Sequence, residues 1–432
     1  MNTRRRLIVA VLASPVALAG CKVRTINEFP VAHADIRFSN LMLGATALDV
    51  REGSTIVWTA IPFEAITGSV EFENKEKTFT LVLSGSAPVD LANVKVTLAG
   101  EQPYTLFAYG TIEVPNALMV PDTTTNPGGG KFQVRIVDVA GGLPNYDIYI
   151  TSPLVAIDEQ IGPNFANMSP GSASVSLRFD VGIWRIRAAL ATSKSVVYDS
   201  GPVIFGEGAN TDFVLYATGA ATLPQGMRLD VNEGGTRAQQ PSTVSTLKFL
   251  NAAVGTGSIN AFIDGTKAID GLVYPSASGY ALSTAGSHNV TIEAVITPGA
   301  TIASLAANLP SARESSVLVY GLPGAVQAVL LLDDNHEPAS GLARVRFVNG
   351  VSDGKAYDVF VNDTKLVTAL PAGTASAYAN FSAANYTVTW RDPATGAIAL
   401  TLADQAFGEA RVLTIGIAGT SGQLASFVST DR

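Results

Sequence analysis

Apolar and polar residues alternate with a period of two along much of this chain. Tyr357, Val359 and Val361 alternate with Asp358, Phe360 and Asn362, and Tyr386, Val388 and Trp390 alternate with Thr387, Thr389 and Arg391. Successive side chains of a strand point to opposite faces, so this pattern predicts strands with one face on a core and one toward water. Equivalent runs occur as Phe79-Thr80-Leu81-Val82-Leu83, Trp184-Arg185-Ile186 and Val290-Thr291-Ile292. No long stretch shows persuasive apolar spacing at i, i+3, i+4 and i+7, the signature of an amphipathic helix.

The pattern is repeated. Arg37-Phe38-Ser39-Asn40, Arg135-Ile136-Val137-Asp138, Lys248-Phe249-Leu250-Asn251 and Arg346-Phe347-Val348-Asn349 align without gaps, their first residues 98, 113 and 98 apart. Nine residues beyond each Asn or Asp stands Asp49, Asp147, Asn260 or Asp358. Each copy closes on an aspartate, Asp122, Asp230, Asp333 or Asp431, at offsets of 85, 95, 85 and 85 from its first basic residue. Only the second copy therefore carries extra length. A shared beginning and end at fixed separation defines a folding unit, and 432 residues exceed what one hydrophobic core usually supports.

Seven or eight short strands per ~100 residues, separated by turn residues, predict a β-sandwich. The 40 glycines and 22 prolines fit such a turn-rich protein. The fold expected is all-β, with four tandem immunoglobulin-like β-sandwich domains at residues 35–122, 131–231, 244–333 and 342–432. Residues 123–130, 232–243 and 334–341 read as turn-rich connections.

The N-terminus carries an address. Arg4-Arg5-Arg6, the apolar run Leu7 to Ala17 and Leu18-Ala19-Gly20-Cys21 describe a basic segment, a short apolar segment and small residues before the chain's single cysteine. The run is shorter than a bilayer span and contains Pro15, which favours a cleaved signal at 1–20. It resembles a bacterial lipoprotein signal. The resemblance implies lipidation of Cys21, a tether at 21–34 and, with Lys22 rather than Asp next, the outer membrane. A plain signal with a chance cysteine is the alternative. Thr3 to Ile8 also loosely resembles a twin-arginine signal, leaving the export route open.

Residues 1–20 hold three arginines and no acid, so their loss takes the formal net charge from −8 to −11. An acidic chain without a basic stripe excludes nucleic acid as an expected partner, and anionic lipid surfaces are disfavoured for the same reason. With Cys21 committed, no disulfide can form within one chain.

The fourth copy resembles a known family. Arg344-Val345-Arg346-Phe347-Val348-Asn349, Tyr357-Asp358-Val359-Phe360-Val361-Asn362, Ser376-Ala377-Tyr378 and Tyr386-Thr387-Val388 look like the bacterial extracytoplasmic domain-of-unknown-function family DUF4397. The likeness is best over 344–431 and weaker in the third copy, where Tyr280 takes the Ser-x-Tyr role. The family often has His after its first strand, where this chain has Asn40, Asp138, Asn251 and Asn349. The resemblance implies a surface β domain, common on lipoproteins, with no activity to carry over.

Candidate chemistry is sparse. Gly350-Val351-Ser352-Asp353-Gly354 fits the G-x-S-x-G of a hydrolase nucleophile elbow. That motif needs a helix after the turn and a later histidine, and here a strand follows and no histidine does. Ser352 therefore reads as a turn residue. His33, His288 and His336 lie far apart and read as solvated. Gly128-Gly129-Gly130-Lys131 lacks the Ser or Thr of a phosphate loop. Asp333, Asp334, Asn335 and Glu337 offer oxygen ligands for calcium between two domains, against the alternative of a solvated acidic linker. Trp184 and Trp390 share register with inward residues and read as core rather than sugar platforms, whereas the pattern leaves Trp58 open.

These observations point to a non-enzymatic, lipid-anchored cell-envelope protein presenting tandem β-sandwich domains for adhesion, scaffolding or partner binding. No catalytic residue and no cofactor beyond that calcium is expected. A glycan-binding module for peptidoglycan or surface polysaccharide is the second reading, and an enzyme acting on envelope polymers the third.

Overall fold

In a computed structural model the described residues are 32–85, 87–191, 193–231 and 236–432. The signal segment, Cys21 and all but the last three residues of the tether lie outside them. The described residues form strands and turns without an α-helix.

The first copy sets the plan with eight strands, β1 (His33–Leu43), β2 (Ala47–Glu52), β3 (Thr55–Pro62), β4 (Val70–Glu73), β5 (Glu76–Leu83), β6 (Val89–Thr97), β7 (Tyr104–Thr111) and β8 (Pro115–Pro121). They form two sheets in the orders β4-β1-β7-β8 and β3-β2-β5-β6. Neighbours run antiparallel except β1 and β7, which are parallel from Ile36↔Tyr104 to Leu43↔Thr111. The same plan recurs, with counterparts of β1 at Lys131–Val139, Val244–Ala253 and Leu342–Val351, each parallel to the counterpart of β7 in its own copy. The sandwich class is as expected. The strand order differs from the ABED and CFG sheets of immunoglobulin domains.

Each of four sheet pairs encloses an apolar cluster. Phe38, Trp58, Phe72 and Phe79 fill the first, Phe132, Tyr198 and Phe213 the second, Phe249, Val290 and Val317 the third, and Phe347, Trp390 and Phe407 the fourth. Trp58 thus joins Trp390 in a core, while half-buried Trp184 packs on Phe132 and Phe179.

The alternation that predicted one wet face fails in the strands that open each copy. Every residue of β7 is buried, as is β1 from Ile36 to Met42. The reason is a second layer of packing, because the sheets containing β1 and its counterparts lie face to face in twos. Leu41, Phe107 and Val120 of the first pair meet Val137, Tyr216 and Met227 of the second. Leu250 and Leu318 of the third meet Val348 and Phe427 of the fourth.

Two limits of the copies shift. β1 begins at His33, inside the segment read as tether. Thr236–Gln240, read as connection, is a strand added to Pro224–Asp230 in the second copy. The second copy's extra length between its basic residue and Asp230 includes the loop 152–164 between its second and third strands.

The repeated polar residues hold the backbone. In all four copies a hydroxyl, Thr67, Ser174, Ser278 or Ser376, accepts the first strand's N–H of Phe38, Ile136, Phe249 or Phe347 at 2.9 Å. The second-strand Asp49, Asp147, Asn260 and Asp358 accept the N–H of Ala60, Asn167, Gly271 and Ala369 at 2.6–2.9 Å. Those four acceptor-bound residues have φ of 51°, 51°, 66° and 48°, a left-handed conformation costly to all but glycine.

One side-chain oxygen thus stabilises a strained residue in each copy, and Asn serves in the third. Asp358→Asn is therefore expected to leave the urea midpoint nearly unchanged. Asp358→Ala should lower stability by about 1–3 kcal/mol through the unsatisfied Ala369 N–H. Equal midpoints for the two variants would contradict this assignment.

Candidate functional site

The basic residue that opens each copy points out of its own core toward the facing sheet. In the third and fourth copies the ion pairs are exchanged, Lys248 with Asp431 and Arg346 with Asp333, the latter at 2.5 Å, and all four side chains are at most 1% exposed. Arg346 also donates from Nε to Thr414 at 2.9 Å and from Nη1 to the Leu332 carbonyl at 3.2 Å. Lys248 lies 5.0 Å above the Tyr280 ring, and Arg346 the same distance above Tyr378. Burial pulls the Lys248 ammonium below its ordinary pKa even with Asp431 and Asp333 beside it. Burial raises the Glu314 carboxyl.

In the other interface the pairs stay at home. Arg37 meets Asp122 at 3.2 Å and donates to Thr105 at 2.8 Å, while Arg135 meets Asp212 at 2.5 Å and crosses only to the Pro121 carbonyl at 2.7 Å. Asp230, the second copy's closing aspartate, takes Thr211 and Arg228 instead.

The acidic connection between the third and fourth copies is buried where the alternative reading had it solvated. Asp333 and Asn335 are 0% exposed, because the facing sheets close over them. Asp333 accepts from Tyr280 and, at 2.7 Å, from Ser316, and Asn335 donates to Tyr280 and to Glu314, both at 2.7 Å. Asp334 pairs with Arg344 and with His336, and these two outweigh burial to hold its carboxyl below the ordinary value. Glu337 meets Arg432 at 2.9 Å. All four calcium candidates are thus engaged with protein groups, and among the described residues no three His, Cys, Asp or Glu side chains converge as a metal-ligand set.

Ser352 sits in the turn after Leu342–Val351, and its Oγ accepts the Gly321 N–H of the third copy at 3.2 Å. Gly350 before it is a packing glycine, since a Cβ there would stand 2.6 Å from that of Ala252 in the facing sheet. Two histidines are less solvated than the sequence suggests. His288 is held by Asp264 and the Thr284 carbonyl, both at 2.7 Å, and His336 by Asp334 at 2.7 Å. His33 is exposed at the start of β1.

His336 lines a cavity of about 410 Å³ where the first, second and fourth copies meet the segment after Asp333. That size is in the range of ligand sites. Leu43, Val114, Leu143, Ala220 and Pro338 supply apolar wall, and Glu337, Glu409 and Arg432 the remaining charge. The site was not legible in the sequence, because its walls come from turns of three copies.

Asp138 stands near its edge, three residues before the first of the Gly141 to Leu143 wall. Its counterparts Asn40, Asn251 and Asn349 accept the N–H two residues on and donate from Nδ2 to Ile61, Leu272 and Leu370 carbonyls at 2.8–3.0 Å. Asp138 keeps the first bond, to Ala140 at 2.9 Å, but its buried Oδ2 has no partner. Burial pushes its pKa from 3.8 to about 7.

Two predictions arise here. A carboxyl raised on folding contributes stability that is fully present below its unfolded pKa and lost as pH rises through about 7. Asp138→Asn should therefore raise the stability at pH 8 by on the order of 4 kcal/mol, read as a higher melting temperature, and change it little at pH 4. A variant with the wild-type pH profile would refute the assignment. At the buried exchange, Arg346→Met should cost about 3–5 kcal/mol in urea unfolding, with much of that recovered on adding Asp333→Leu. A double variant no more stable than the single would count against the uncompensated charge as the cause.

The model of the DUF4397 family, described as a domain of unknown function, matches residues 34–149, 245–353 and 343–432. No curated protein matches the chain. Among solved structures, the chain is similar to the CBM26-family module CBMbc of Eubacterium rectale Amy13K in complex with maltoheptaose. The two share 13% identity over 43% of this chain and 92% of that one, with a TM-score of 0.15, too low to bear on fold or ligand. The three matched segments span well over half of the sequence, so the chain belongs to the DUF4397 family.

Proposed function

We propose that the protein is a non-enzymatic, lipid-anchored component of the bacterial cell envelope, working by partner binding or scaffolding through packed sheet pairs. The observation that carries this reading is the fate of the repeated polar residues. The opening basic residue, the strand-end Asn or Asp, the second-strand Asp or Asn and the Ser or Thr hydroxyl bond to the protein's own backbone, to neighbouring side chains or to the facing sheet. What the copies share is therefore used to build and join them. The reaction chemistry of an enzyme would instead need a nucleophile or acid–base pair left facing substrate.

The resemblance of the segment ending in Leu18-Ala19-Gly20-Cys21 to a lipoprotein signal supports the anchor, and the acidic mature chain supports a partner other than nucleic acid. The packed arrangement favours a presenting surface over a string of separate spacers, because facing sheets and a buried connection join the copies. Glycan binding remains the second reading on the sandwich fold alone. Its aromatic platforms would have to come from side chains other than Trp58 and Trp390, which are spent in cores.

Two measurements test the proposal. Cys21→Ser should move the protein from the membrane pellet to the soluble fraction. Unchanged pelleting would overturn the lipid anchor. Crosslinking in intact envelopes, followed by capture of the anchored protein, should yield discrete heterologous protein adducts. Recovery of glycan alone, or of the uncrosslinked protein alone, would overturn the protein-partner reading.

A further inference from the structure

We infer that the cavity between the first, second and fourth copies is a binding site for a small aliphatic ammonium cation. This goes beyond the partner-binding reading and does not depend on it. The hydrogen-bonding groups on the cavity wall divide into donors already engaged and acceptors still open.

The donors are largely spent. Arg432 donates from Nη2 to the Gly142 carbonyl and to Glu337, and from Nη1 to the Ala221 carbonyl at 3.4 Å. Ser340 gives its hydroxyl proton to Glu409 Oε1 at 3.0 Å, and the Gly341 N–H goes to the same oxygen at 2.9 Å. The Asn116 amide donates to the Val114 carbonyl at 3.1 Å.

The acceptors are not. The second oxygens of Glu409 and Glu337 take no partner among the described residues, since both sets of bonds fall on one oxygen each. His336 is fixed in one tautomer. Its Nδ1 lies 2.7 Å from the Asp334 carboxylate, which accepts only, so the neutral ring carries its proton on Nδ1 and keeps a lone pair on Nε2. Two carboxylates against one guanidinium give the charged wall a net negative sign while the imidazole is neutral.

A ligand complementary to this wall must bring donors and positive charge. Leu43, Val114, Leu143, Ala220 and Pro338 then require an apolar body beside the charged head. An alkylammonium group meets both demands, with three N–H donors for carboxylate and imidazole acceptors and a chain for the aliphatic wall. An alkanoate of the same length brings acceptors to acceptors, and an alcohol brings one donor without charge.

The test is calorimetric titration of the detergent-solubilised full chain at pH 8 with n-hexylammonium chloride, hexan-1-ol and sodium hexanoate. Hexylammonium should bind about 10–100-fold more tightly than hexan-1-ol, with no measurable heat from hexanoate. Glu409→Gln, which keeps an oxygen for Ser340 and Gly341, should weaken hexylammonium binding by about 10-fold or more. Val114→Trp changes a residue 45% exposed on the cavity wall and should abolish binding while the ligand-free melting temperature stays at the wild-type value. Absence of hexylammonium binding, equal affinity for the alcohol or carboxylate, or unchanged affinity in either folded variant would overturn the inference. None of these results would alter the envelope crosslinking outcome.

Discussion

A charge placed on the second buried face of a sheet constrains everything around it. Lys248 and Arg346 lie on first strands whose other face already lines a sandwich core, so the facing sheet removes water from both sides. Desolvating such a cation costs several kcal/mol unless an anion and further acceptors surround it. The aspartate that closes each repeat is a candidate anion, and in the third and fourth copies the two are exchanged between neighbours. An isolated third copy would leave Lys248 without Asp431, and an isolated fourth would leave Arg346 without Asp333. The exchange therefore joins these copies more specifically than apolar contact alone could.

The first and second copies meet the same constraint differently. Asp212 stands where the other copies have Thr105, Ser316 and Thr414 beside the basic residue, so Arg135 finds its carboxylate on its own sheet. Asp230 is released to Thr211 and Arg228, and the strand Thr236–Gln240 pairs alongside it. The interface is then carried by apolar side chains, by the Arg135 bond to the Pro121 carbonyl and by the bonds of Tyr216 and Gln239 to Glu64 at 2.8 and 3.0 Å. One substitution at a repeated position is enough to change which copy supplies the counter-ion.

Much of this was legible in the sequence, and the boundary of legibility has a physical cause. Period-two alternation and fixed spacing are local, so strands, copies and core residues such as Phe347 and Trp390 could be read directly. The spacing also singled out Arg346, Asn349 and Asp358, but not their tasks. Lys248 and Asp431 are 183 positions apart, and no local pattern reveals that a facing sheet will bring them together. The same blindness made the connection after Leu332 look solvated. Asn and Asp at position 138 and its counterparts looked equivalent because both accept the same N–H. Only the missing amide donor, visible once the second oxygen is seen buried and unpaired, separates them.

The cavity shows how a repeat acquires individual chemistry without new residues. Glu409 and Glu207 hold corresponding places before the counterparts of β7, and each accepts the backbone N–H of a glycine shortly before its own first strand, Gly341 or Gly130. Locally the two are the same structural device. Glu207 borders a hollow of about 280 Å³ built by the second copy alone, whereas Glu409 lies on a wall shared with two other copies and with His336. The difference is assembly. A carboxylate that merely ties a loop in one copy becomes part of a composite wall in another, because packing sets an imidazole, a guanidinium and an apolar surface beside it. Function in such a chain is therefore to be sought at the junctions between copies, where the repeat symmetry is broken, rather than in the residues that define the repeat.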